Sequence, residues 1–139
     1  NLMLLRKMFT TPEPVRFGPP PIRWARQLIG AGGREQFLFD FYRGAITVSK
    51  YKQQIRHGSN EILLRFDVGR HTNPPGNPYH EGNFDGLHVH LYREGYGDRI
   101  AFPCDVINVV NPSDIVSVFE AICLHGNIAI PNNIQGELL

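Results

Sequence analysis

Ile62-Leu63-Leu64-Arg65-Phe66-Asp67 and Leu87-His88-Val89-His90-Leu91-Tyr92 are two strand-like runs, and what lies between them decides how the chain is read. The first is an apolar run that ends in Arg65-Phe66-Asp67, and the second places His88 and His90 between apolar neighbours at the two-residue period of a pleated strand. The connecting segment from Gly69 to Gly86 carries Pro74, Pro75 and Pro78 with several glycines and asparagines, so it reads as a loop held between two secure strands. Binding and catalytic residues are often placed on such loops. Of the six histidines, His71, His80, His88 and His90 fall inside this stretch.

Outward from it, the period-two pattern continues. Phe37, Phe39 and Phe41 share one face of a run that Gly44 ends, and residues 45–57 read as a long strand that turns at His57-Gly58-Ser59-Asn60. A second hairpin, extended over 105–110, is expected from 87–92 and 99–104 about the glycine-rich turn Glu94-Gly95-Tyr96-Gly97-Asp98. Ile115, Val118, Phe119 and Ile122 recur at helical spacing and predict a closing helix over 112–124, capped near Asn111 or Ser113. Residues 1–10 have the spacing for one or two helical turns. Residues 22–29, following Pro21 and ending at Gly30, predict a short amphipathic helix. The expected fold class is therefore α+β: an antiparallel sheet of about five strands, with a short N-terminal helix and a C-terminal helix packed on one face.

A chain of 139 residues predicts one domain. Within it, 1–21 reads as a proline-rich arm lying over the domain or a partner, 22–130 as the globular core and 131–139 as a tail. A net charge of +1 removes any bulk electrostatic argument for nucleic acid or an anionic membrane. No apolar run nears the roughly 18 residues of a membrane span, so a cytoplasmic protein without membrane association is expected. Cys104 and Cys123 are isolated in sequence, which argues against a disulfide framework or structural zinc.

Chemistry concentrates on the histidines. His88 and His90 leave the same face of their strand about 6.6 Å apart along the chain. Two imidazoles so placed can hold a metal ion or flank a phosphodiester as general acid and base. A single histidine in a half-buried strand is usually structural; a pair opposite a histidine-bearing loop points to a site. The expected catalytic set is His71, His88, His90, Asp67 and Arg65, with Asp67 orienting an imidazole and Arg65 steadying phosphorane charge. Tyr92, Asn73, Lys50 and Lys52 are the expected substrate contacts. Arg43, Tyr51 and Arg56 add basic and aromatic groups that could follow a phosphate backbone.

Gly82, His88, His90 and Glu94 are spaced as in the first metal-binding motif of the cupin family, which they resemble. That resemblance implies a divalent transition metal on His88, His90 and Glu94. Ala101 stands where the motif has a later glycine, and the second cupin motif is missing. Leu64-Arg65-Phe66-Asp67, His71-Thr72-Asn73-Pro74-Pro75-Gly76, the run from His88 to Asp98, and Ala101-Phe102-Pro103 resemble a family of small bacterial and prophage proteins of unknown function, over about residues 37–128. Pro75 departs from that family's usual Asn-Pro-Asp-Gly loop. The order of strand, aspartate, loop histidine, His-x-His strand and closing helix is also similar to small toxins of bacterial toxin-antitoxin modules. This likeness implies a metal-independent ribonuclease acting on RNA and held by a cognate antitoxin or other protein partner. A metal-binding protein of cupin character and a phage-borne inhibitor or adaptor are the competing expectations.

Overall fold

In the computed structural model, residues 1–44 and 51–131 are described, with the backbone of 134 and 135. The elements run β1 (Lys7–Phe9), β2 (Val15–Arg16), β3 (Ile22–Gly30), β4 (Gln36–Arg43), β5 (Tyr51–His57), β6 (Glu61–Thr72), β7 (Asn83–Leu91), β8 (Ala101–Phe102), a 3-10 turn at Cys104–Ile107, α1 (Ile115–His125) and β9 (Ile134–Gln135). Among the described residues, seven strands form one antiparallel sheet in the order β1-β3-β4-β5-β6-β7-β8, while β2 and β9 form a short parallel pair.

The expected N-terminal helix is a correction. Residues 22–30 are a strand, in register with β4 from Ile22 opposite Arg43 to Ile29 opposite Gln36. Trp24 with Leu28, and Ala25 with Ile29, sit four apart and imitate a helical stripe. Pairing with β4 along residues 22–29 and with β1 at residues 28–30 gives the segment its ladder partners, and Trp24 and Leu28 still reach the core by alternation. Before it, residues 2–5 form a turn that leads into β1. The sheet is thus two strands larger than the expected five.

Other boundaries shift for local reasons. β6 and β7 extend to Thr72 and from Asn83, shortening the expected loop to residues 73–82. Pro103, which cannot donate to a ladder, stops β8 after two residues, and 104–107 coils rather than extending the hairpin. α1 begins at Ile115, where the Asp114 side chain accepts from Val116 N at 3.2 Å, so the cap is Asp114 rather than Asn111 or Ser113. The expected strand over 45–57 is described only from Tyr51; Lys50 lies outside the described residues.

One face of the sheet carries the core. Phe37, Phe39 and Phe41 on β4, Ile55 on β5, Leu64 and Phe66 on β6 and Val89 on β7 are buried, with α1 laid across them. Phe119 of α1 meets Phe17 at 5.0 Å and Phe39 at 5.1 Å between ring centroids. Residues 11–17 cover the same face: the Arg26 guanidinium donates to carbonyls of Glu13 and Pro14, Trp24 Nε1 donates to Arg16 O at 2.8 Å, and Val15 and Phe17 are buried. Lys7 closes the assembly. Its Nζ donates to Met3 O, Leu5 O and, at 2.6 Å, Gly126 O, while its backbone pairs with Asn127 O and Ala129 N. No helix among the described residues is long and apolar enough to cross a membrane.

The opposite face is polar and leads to the site. Arg23, Tyr42, Lys52, Asp67 and His88 stand in one row across five strands; Ala25, Asp40, Gln54, Arg65, His90 and Ala101 form the next, across six.

Candidate metal centre

His71 and His90 lie far apart on a flat hairpin. His90 is opposite Arg65, and Arg65 is six residues from His71, about 20 Å of extended strand. Their ring centroids are nevertheless 4.6 Å apart. The β6–β7 hairpin therefore folds back over its own base, and the bend falls where Gly69 pairs with Gly86. Both have positive φ, 128° and 113°, a conformation that a side chain strongly disfavours. The folded-back tip is then fixed. Asn73 Nδ2 donates to Ala101 O and His80 O, Asn73 Oδ1 accepts from Ala101 N at 2.7 Å, and Asn77 ties the loop to Pro74 and His80.

Under that roof His88 and His90 are 2 % and 1 % exposed. His88 Nδ1 lies 2.9 Å from Gly86 O, and His90 Nδ1 lies 2.8 Å from Asp98 O. A carbonyl oxygen only accepts, so each Nδ1 carries the proton and each neutral Nε2 is left with a lone pair. The two Nε2 atoms face one another at 3.0 Å. Burial lowers both histidines from their ordinary pKa. For His90, burial, the Arg65 cation and the neighbouring imidazoles bring it down to about 3. A carboxylate oxygen of Asp67 joins them, so that the three donor atoms all lie within 4.8 Å of one another.

Arg65 organises the carboxylates. Its Nη1 donates to Asp98 Oδ2 and its Nε lies 3.3 Å from Asp67 Oδ2, while Asp67 Oδ1 accepts from Val68 N. One guanidinium thus steadies both Asp67 and the residue whose carbonyl holds His90. His71 stands beside the pair, its Nε2 between Asn73 Oδ1 at 3.0 Å and Arg99 O at 2.9 Å. It is not one of the three converging donors.

Asp67 is also where the site opens. It lines one end of a groove of about 690 Å³ on the polar face, together with Arg23, Tyr42, Lys52 and Arg56. Of the expected substrate contacts, Lys52 faces this groove. Asn73 is 4 % exposed, with its amide committed to the loop, and Tyr92 lines a different hollow with Leu63, Leu91 and Leu124. Glu94, expected as a third ligand on the cupin pattern, is exposed in the Arg93–Gly97 turn; the carboxylate that converges is Asp67. Gly86 O, Asp98 and Arg99 O were not singled out from sequence. Only the Glu94–Asp98 turn hinted at Asp98, by putting an acidic residue shortly after the histidine strand.

A donor set of two imidazoles and one carboxylate suits a divalent first-row ion and leaves coordination positions open. Two nitrogens sharing an ion at about 2.0–2.1 Å each must lie within roughly 4.2 Å of one another, and 3.0 Å meets that condition. Hydrogen bonds from the far ring nitrogens to carbonyls are the usual support for ligating histidines. No curated protein and no solved structure matches the chain, so the likeness to toxin components gains no support there. A family model does match, over more of the chain than the 37–128 span of the resemblance, and by that match across residues 1–128 the chain belongs to the family of unknown function DUF6978.

Proposed function

We propose that this chain binds one divalent transition-metal ion through Asp67, His88 and His90, and with it acts on a phosphodiester substrate laid in the adjoining groove. One observation carries the reading: two buried Nε2 lone pairs face each other at 3.0 Å while both Nδ1 protons are spent on carbonyls. Opposed lone pairs repel, and a cation between them turns the repulsion into binding. When bound, such an ion polarises a phosphoryl oxygen and acidifies a coordinated water. Arg65 holds Asp67 in place, the fold-back hairpin keeps bulk water off the imidazoles, and the groove delivers substrate at the Asp67 end.

Metal-free acid and base catalysis by the same histidines fits less well. Each ring nitrogen of His88 and His90 already faces a carbonyl or the other ring, and His71 Nε2 is shared between two acceptors. None of these is turned toward a substrate.

Titration calorimetry of untagged protein with Zn²⁺ tests the reading. One ion per chain is expected, with affinity reduced more than about 100-fold in His90→Ala and in Asp67→Asn. Absence of saturable heat, or His88→Ala binding zinc as tightly as the parent, would mean that the paired rings hold no metal ion, and the reading falls.

A further inference from the structure

We infer that the groove takes single-stranded nucleic acid, with backbone phosphates on Lys52 and at the Asp67 end, and a base stacked at Arg23 and Tyr42. This names a substrate class for the site proposed above and rests on that reading for which end of the groove is reactive. The observations behind it lie outside the metal cluster.

Charge is the first. Arg56 is closed on Asp40, with Nε to Oδ2 at 2.6 Å and Nη2 to Oδ1 at 2.9 Å, and Asp67 shares the Arg65 cation with Asp98. Lys52 has no ion-pair or hydrogen-bond partner among the described residues, and Arg23 has only its aromatic neighbour. The groove is left with two cations, Arg23 and Lys52, that no carboxylate among the described residues pairs, while its remaining anionic charge sits at the Asp67 end, where the ion of the site proposed above would offset it. That balance selects an anionic ligand even though the whole chain is nearly neutral.

The second is order along the row. Lys52 is one strand from Asp67, and Tyr42 is one strand further, with neighbouring strands about 4.8 Å apart. The Arg23 guanidinium lies over the Tyr42 ring at 4.7 Å from its centroid. A planar cation backed by an aromatic ring is a platform on which a base stacks without sequence preference. Reading outward from the histidines, the row offers a reactive end, a phosphate contact and a base platform, which is the repeat of a polynucleotide strand. A double helix buries its base faces, so it cannot use the platform.

Fluorescence anisotropy with a labelled oligouridylate, in EDTA and over a series of salt concentrations, tests this apart from any metal. Saturable, salt-dependent binding is expected. Lys52→Ala should lower the magnitude of the log–log salt slope by about 0.7, the value of one single-strand phosphate contact. Tyr42→Ala should weaken binding between about 5-fold and 150-fold with the slope unchanged. Arg70→Ala, an exposed strand position, should change neither. Asp67→Asn should lose zinc and keep the oligomer. The inference is overturned by salt-independent or absent binding, by a duplex binding better than the single strand, by uridine monophosphate competing as well as the oligomer, or by Arg70→Ala matching Lys52→Ala. Oligomer binding in a protein that takes no zinc would sink the metal reading alone; zinc binding without the oligomer would sink this one alone.

Discussion

His88 and His90 are aimed by the backbone around them, and Arg65 is the side chain that aims Asp67. Removing it as Arg65→Leu leaves two carboxylates without their shared cation. The expected result is a 10- to 100-fold weaker zinc affinity, the usual cost of losing a group that orients ligands, and calorimetry beside the parent measures it. Protonation gives a second prediction at this scale. Unfolded His90 titrates near 6.5 and the folded residue near 3. Above pH 6.5 both states are neutral and the term vanishes. As pH falls from 6.5 toward 3, the unfolded chain takes up a proton that the folded chain refuses, so stability falls. Urea midpoints of metal-free protein should decline over that window, with a shallower decline in His90→Gln. The spacing of His88 and His90 was legible because a strand's alternation fixes which face two residues share. Asp98 was not, because its bond to Arg65 spans 33 residues and no local pattern encodes such a contact.

The β6–β7 hairpin is the element that turns a spaced set of histidines into a cluster. Its fold-back depends on Gly69 and Gly86, whose positive φ values an L side chain reaches only with strain of about 1–3 kcal/mol. Gly69→Val should therefore destabilise the protein by about that amount in chemical denaturation and weaken zinc binding as well; a variant unchanged in both would show that the bend does not need glycine. Sequence placed the strands and marked the loop between them as a place for a site, but it did not show that the hairpin folds back on itself. Two glycines seventeen positions apart carry no visible sign that they will sit opposite each other. Residues 22–30 were misread for a related reason. Trp24, Ala25, Leu28 and Ile29 satisfy a helical spacing while Ile22, Trp24 and Leu28 share one face of a strand, and only the presence of β4 as a partner decides between them.

Taken whole, the molecule is a sheet with a dry side and a working side. The aromatic core, α1 and residues 11–17 occupy the first, leaving Arg23, Tyr42, Lys52 and Asp67 open on the second. An ion bound only by the folded chain adds stability by mass action, about 2.7 kcal/mol at a free concentration 100 times its dissociation constant. Zinc should accordingly raise the melting temperature of the parent, EDTA should reverse the rise, and Asp67→Asn should show neither effect. Lys7 sets a different condition on the same architecture. Beside the local carbonyls of Met3 and Leu5, its ammonium is completed by Gly126 and its backbone by Asn127 and Ala129, partners synthesised some 120 positions later. A nascent chain stalled before those residues leave the ribosome has a lysine held only by Met3 O and Leu5 O, without its shortest partner Gly126 O, and a sheet edge still unlatched. Final assembly is thus deferred until residue 129 has emerged, and ribosome-tethered lengths ending short of Ala129 should remain open to protease where the released chain resists it.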